Sequence, residues 1–486
     1  MSVLPPRLLS GAAVSTFGRV LGTLVSVLTV GVVTRSLAAG GGVAAYGTYA
    51  TIFAFLAVAA VVADGGLYLV FTKWAAREDA EGESRIFQAV LRLRFVSLGV
   101  ALFLLATVVS VLPYPAVVRA GVLLGTVGVG SQLVTQLLLG VFQKRLRMLA
   151  PAVSEVLGRG ATLLFSLLIS WRGGGVLAFV GAFVVGALVT LVGNLLAVRR
   201  FLTAPSAHPG PRASAVIREA WPLGLMLICW LLVFRVDSVL LSLFRPPEEL
   251  GWYALPYKVL ESLLFFPAMI GGLLLPALSK EAIAEKRRFS EALSAATSLF
   301  LVLTIPTVAL LFLSAPWVIA VLGGPGFSPS VPVLRILAVA LGTLFFGNLY
   351  GNSAIALGAQ RSLLRAAMIL ALFNILVNLV IIPRYSFFGA AWTTLGTELL
   401  SALTAFGIVW RRVRFTFFSA PNWHIASAGG VLLLVSFLPL PSSLRIMMSV
   451  SAYAAALWVL GVLTPRRLAA LLRAQRLSGS SPVGEL

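Results

Sequence analysis

One cysteine and two histidines in 486 residues leave little room for metal or redox chemistry. Cys229 alone can form neither an intrachain disulfide nor a Cys-cluster metal site. His208 and His424 stand in separate stretches, and no HExxH or CxxC spacing occurs. No metal and no cofactor is expected. Charge is scarce as well, at 11 % of residues, where soluble domains carry about 25 %. Acids are the scarcer sign, 16 against 37 basic residues. The resulting net charge of +21 would suit nucleic acid, but the Lys and Arg residues collect in short runs between apolar segments, as cytoplasmic loops do. No nucleic-acid partner is expected. Long polar loops are missing too, which speaks against a membrane enzyme with a catalytic outer loop.

What remains is apolar. Hydrophobic residues make up 59 % of the chain and mean hydropathy is +1.01, so the chain reads as an all-α, polytopic membrane protein with the lipid bilayer as its surroundings. Spans of about 20 residues are predicted near 11–34, 46–70, 95–113, 117–141, 150–171 and 175–198, then 219–244, 251–277, 292–313, 332–357, 362–382 and 388–410, with two more near 423–439 and 446–463. That gives fourteen transmembrane helices. The first apolar stretch is longer than a signal-peptide core and lacks a clear cleavage motif. Pro256, Pro267 and Pro306 are expected to kink their helices.

Charge placement predicts orientation. With the N-terminus in the cytoplasm, 26 of the 37 basic residues fall in cytoplasmic loops and six outside, at Arg35, Arg119, Arg172, Arg245, Arg384 and Arg445. The cytoplasmic set includes Lys73, Arg77, Arg85, Arg92 and Arg94 in a loop at 71–94, and Lys144, Arg145 and Arg147 in the next. Both termini are therefore predicted inside.

The chain divides into 1–200, a Pro- and Ser-containing cytoplasmic linker at 201–216, 217–414, two added helices in 415–465, and a cytoplasmic tail at 466–486. A repeat supports the division: Gly47, Tyr49 and Ala50 of AYGTYA align with Gly251, Tyr253 and Ala254 of ELGWYA. Two pseudo-symmetric six-helix bundles are expected, as in many transporters.

Charges inside spans are costly and mark functional or paired positions. Arg235 and Asp237 interrupt CWLLVFRVDSVLLSLF, and Lys258 and Glu261 share one face of the next helix. By helix rise, Asp237 matches Lys258 in depth and Arg235 matches Glu261. They are either ion pairs stapling a hairpin or a charged wall of a central cavity. Arg19 and Asp64 lie within the first two spans, and Glu155 and Arg159 are one turn apart in the fifth. Glu398 stands alone in the twelfth, either neutralised by desolvation or able to carry a proton. Asn348, Tyr350, Asn352, Asn374 and Asn378 offer polar or aromatic surface to a sugar chain, or bonds to a neighbouring helix. Glycine spacings such as Gly347 to Gly351 read as close helix contacts and not as phosphate loops.

Three stretches carry a family resemblance: NILVNLVIIPRYSFFGAA (374–391), RVDSVLLSLFRPPEELGWYALPYKVLESL with its LLLPALSKE continuation, and VLGGPGFSPSVPVLRILAV. The chain resembles the O-antigen (Wzx-type) polysaccharide flippases, whose superfamily also holds MATE exporters and lipid II flippases. One departure is local: the usual Tyr-Gly is here Tyr385-Ser386. The resemblance implies a MATE-like fold in the cell's inner membrane and no enzymatic activity. It also implies movement of an undecaprenyl-pyrophosphate-linked oligosaccharide to the outer leaflet by alternating access, with a glycan polymerase or other export machinery as a partner. Arg19, Arg235 and Lys258 are cations available to a diphosphate. The alternative is an antiporter of small organic cations, which should have a cavity richer in acid than in base.

Overall fold

The computed structural model describes residues 6–201, 210–417 and 420–462; side chains are described for most of these, Arg19 not among them. The described residues are helical throughout their ordered elements, with no strand among them. The helices are α1 (Pro6–Asp64), α2 (Leu67–Ala75), α3 (Ala80–Val111), α4 (Ala116–Lys144), α5 (Leu149–Trp171), α6 (Val176–Val198) and α7 (Ala213–Phe244). They continue as α8 (Pro247–Leu263), α9 (Phe265–Ala284), α10 (Lys286–Leu322), α11 (Ser330–Ala356), α12 (Gln360–Arg412), α13 (Ala420–Ser436) and α14 (Ser442–Val459).

Ten of these helices are long and apolar enough to cross a membrane. Counting the bent α7 as one span and α1 and α12 as two each brings the number among the described residues to thirteen, and α13, with 17 residues, falls just short. α1 and α12, with 59 and 53 residues, are each about twice the length a bilayer requires. α1 leaves helical geometry at Gly41 and Gly42, and α12 does so at Ser386. Conversely, α8 and α9 are two pieces of one span, parted at Leu264. Pro267, three residues on, has no N–H to donate to the Leu263 carbonyl. The residues that leave helical geometry inside α1 and α12 are thus glycines and a serine, while Pro256 and Pro306 sit inside continuous helices.

Ser386, where the chain departs from the family pattern, takes a backbone conformation suited to glycine. It holds φ 54° and ψ −139°, a region that glycine enters freely and other residues enter at about 1–3 kcal/mol. A glycine would relieve that strain and add about 0.5–1 kcal/mol of unfolded-state entropy. Ser386→Gly should therefore stabilise the protein by about 1 kcal/mol net, read as a raised thermal midpoint. A lowered midpoint would mean that the serine hydroxyl outweighs the strain.

The chain forms two compact units. One comprises Pro5–Ala254 with Leu322–Gly326, and the other comprises Leu255–Val321 and the chain from Phe327 on. The division falls within α8; of the sequence-proposed linker at 201–216, residues 202–209 lie outside the described residues. The first unit has two cores. One gathers Phe71, Val90, Leu137, Phe142 and Val216, and the other gathers Ile52, Leu56, Ala101, Val122 and Val180. In the second unit, Ile425, Leu432, Tyr453 and Leu457 of the added helices α13 and α14 pack against Leu301, Val302 and Ile305 of α10. The flanks stay apolar: Phe103 and Val111 of α3, Leu434 of α13 and Phe437 just after it are mostly exposed, as a lipid-facing surface requires.

One expectation needs correction. Residues 71–94 are not a loop: α2 and α3 occupy nearly all of it, and Arg94 is a fully buried side chain within α3. The helix runs on past the point where hydropathy falls. Taking Arg94 out of the loops leaves the charge bias essentially intact. Cysteine labelling at Arg245–Glu249, in a Cys229→Ser background, should accordingly report the outer side. Cytoplasmic labelling there would invert the topology.

Candidate transport site

Intramembrane charges of the first unit resolve into three groups. Glu155 and Arg159 pair along α5, both roughly half exposed at 42 % and 35 %. The Arg159 guanidinium lies over Gly22 of α1 and donates to the Ser26 hydroxyl at 3.3 Å. Asp64 is bound by Arg94 at 2.6 Å and is buried. Asp237 is buried on α7, where it accepts from the Tyr253 hydroxyl and, at 2.6 Å, from the Ser238 backbone N–H. Arg235, half-buried, sits two residues before it. Arg19 lies in α1, and its side chain is outside the description.

In the second unit, Lys258 bonds Glu261 at 2.8 Å along α8, with exposures of 38 % and 23 %. These two charges neutralise each other on the face they share. Asn352 donates to Asn348 at 3.0 Å, and both amides crowd Gly271 of α9, where no Cβ would fit. Asn374 and Asn378 are buried in α12. Asn378 donates to Asn374, and Asn374 donates to Thr397 on the other side of the Ser386 break, each at 3.0 Å. Here the amides tie the two arms of α12 together. Tyr350 is buried in an aromatic cluster with Phe346, Phe406 and Phe415. Glu398 is buried with no hydrogen bond or ion pair among the described residues.

The site residues therefore fall into two kinds. Half-exposed charges inside spans are Glu155, Arg159, Arg235, Lys258 and Glu261. Buried and hydrogen-bonded groups are Asp64, Asp237, Asn374 and Asn378. A half-exposed charge at that depth has to reach water, since hydrocarbon would penalise it. Among the described residues no group of three His, Cys, Asp or Glu side chains could hold a metal ion.

Sequence reasoning missed one further buried carboxylate. Glu83 of α3 is 1 % exposed and binds both Lys144 at 2.9 Å and Arg145 at 2.6 Å, at the end of α4. Arg145 also donates to the carbonyls of Val141 and Phe201, and the guanidiniums of Arg145 and Arg147 both lie 5.3 Å from the Phe201 ring centre. Partners about 60 residues apart leave no local spacing to read. Glu83 is one of four acids in REDAEGESR, and nothing in the sequence sets it apart from Glu78, Asp79 and Glu81.

Among solved structures, the lipid II flippase MurJ in its inward closed conformation is 13 % identical, matching 95 % of this chain and 99 % of that one with a TM-score of 0.74. An inward-facing multidrug resistance MATE family transporter of the MOP superfamily is 16 % identical over 86 % of this chain and 98 % of that one, TM-score 0.60. A MOP superfamily transporter from Pyrococcus furiosus is 15 % identical over 86 % of this chain and 96 % of that one, TM-score 0.58. At such identities the likeness is one of fold. No curated protein sequence matches. The family model described as "Polysaccharide biosynthesis protein" matches residues 8–282, more than half of the chain. The chain, a multi-span membrane protein with the MATE-like fold, belongs to the polysaccharide biosynthesis protein family.

Proposed function

We propose that the protein flips a polyprenyl-diphosphate-linked oligosaccharide from the cytoplasmic to the outer leaflet by alternating access, in the cell's inner membrane with both termini inside. One observation carries this: each unit holds a half-exposed ion pair within a span, made between neighbours on a single helix. A one-turn pair in a wet setting is worth about 0.3–0.5 kcal/mol. Arg159 or Lys258 can therefore leave its carboxylate for a diphosphate oxygen at little cost, and a guanidinium can grip that oxygen pair in bidentate fashion. Glu155 and Glu261 take the cation back when the substrate leaves, so the empty carrier is not left with bare charge. Asn348 and Asn352 supply amides suited to sugar hydroxyls. Family membership and the fold support a transporter over an enzyme.

Reconstituted protein should move a fluorescent polyprenyl-diphosphate oligosaccharide between leaflets. Arg159→Ala and Lys258→Ala should each lower the rate about tenfold or more, the loss expected for one charge-assisted contact of about 1.5–3 kcal/mol, while folded protein remains in the membrane. Arg235→Ala and Arg19→Ala are expected to impair transport as well. Full activity in all four variants would remove the cations from the mechanism. Efflux of cationic dyes without lipid movement would favour the small-molecule exporter instead.

A further inference from the structure

We infer that Arg94 is a positioning residue, which with Asp64 shapes the break between α1 and α2 into a socket for α7. Asp64 ends α1 and Leu67 starts α2. Between them Gly65 and Gly66 take left-handed backbone, φ 50° and 83°, open to glycine for lack of a Cβ. The polar groups around the break are aimed at its backbone. Asp64 Oδ2 accepts from the Gly66 N–H at 3.2 Å. The Ala63 carbonyl accepts from the Ser97 hydroxyl at 2.7 Å and from Arg94 Nη1 at 3.4 Å.

Arg94 is 0 % exposed, and its Nε and Nη2 have no hydrogen-bond partner among the described residues. An apolar pair of similar volume would fill this space without the desolvation of two charges. What the charged pair adds is direction, because it bonds the atoms of the turn itself.

What the break receives is α7. A Cβ on Gly224 would lie 2.6 Å from the Gly65 carbonyl oxygen, and one on Gly66 would lie 2.6 Å from that of Ala220. The two backbones meet with no side chain between them. On one side of this contact, α7 is fixed by Val216 and Ala220 in the Phe71 core and by the Lys73–Glu219 ion pair. On the other side, α7 bends by 50° between Cys229 and Leu231. The socket is thus the last fixed point before the bend. It confines movement of α7 to the Cys229–Leu231 joint.

Cys229 is the one cysteine and is buried, so its thiol reports movement at the joint independently of any substrate. In full-length protein in nanodiscs, well below the melting temperature, Arg94→Ala should react with a membrane-permeant maleimide at least tenfold faster than wild type. Lost stability alone could do the same, so the decisive variant combines Asp64→Leu with Arg94→Met. It leaves no unpaired buried charge and should melt close to wild type, yet still label at least tenfold faster, since nothing then bonds the turn. Gly224→Ala keeps both charges, lifts α7 off the socket and should label faster by a similar factor, which covers a double variant that fails to fold. A wild-type labelling rate in Gly224→Ala, or in the folded double variant, overturns the assignment.

Discussion

Glu83→Ala is expected to lower the unfolding free energy by about 3 kcal/mol, near the bottom of the range for removing one partner of a buried ion pair. The carboxylate is almost fully buried, and two cations depend on it. Lys144 and Arg145 are each about one-fifth exposed, so water can solvate part of what is lost, which keeps the cost from the top of the range. Lys144 also keeps its bond to the Glu78 carbonyl at 2.7 Å. The loss should reach beyond one contact, because Arg145 joins α3 to α4 and to Phe201 beyond α6. Glu83→Gln keeps an acceptor but not the charge, and should fall between wild type and alanine. Thermal unfolding followed by a thiol-reactive dye at Cys229 measures all three. Equal midpoints for the glutamine and alanine variants would show that hydrogen bonding alone, without charge, gives no part of the stability.

Sequence and structure part company where a helix outlasts its apolar run. Hydropathy located most of the expected spans because lipid-facing residues such as Phe103 and Leu434 must be apolar. It began the third span at Phe95, although α3 begins at Ala80. Arg94 therefore read as a loop charge, and Asp64 as an intramembrane charge not linked to it. The Asp64–Arg94 contact depends on how α1 and α3 cross, which no one-helix spacing encodes. Pairs within one turn, Glu155 with Arg159 and Lys258 with Glu261, were legible because spacing alone makes them neighbours. Breaks were partly legible. Ser386 stood out as a missing glycine, and Pro267 lies beside the α8–α9 break, whereas Pro256 and Pro306 drew attention to positions where the helices continue.

Gly47→Ala should be among the most destabilising single-methyl additions in the protein, and Gly251→Ala a milder one. The two glycines hold equivalent places in the repeated AYGTYA and ELGWYA stretches, and the fold sets them against each other. A Cβ on Gly47 would land within bonding reach of the Pro247 carbonyl and 3.2 Å from the Gly251 nitrogen. Backbone cannot step aside as a side chain does, so α1 and α8 would have to separate. Overpacking typically costs about 1–3 kcal/mol, and this site belongs at or above the top of that range. A Cβ on Gly251 meets Val43 instead, 2.8 Å from its Cγ1 and 2.8 Å from its carbonyl oxygen. The valine can turn away from the first contact, and only the second forces the backbone. The two variants should therefore differ although the motif treats the positions alike: the repeat gives both glycines the same address, and packing gives them different neighbours. Unfolding midpoints of both variants decide the matter. Equal losses would mean that α1 and α8 separate as one rigid contact, and no loss at Gly47 would mean that the two backbones do not meet there.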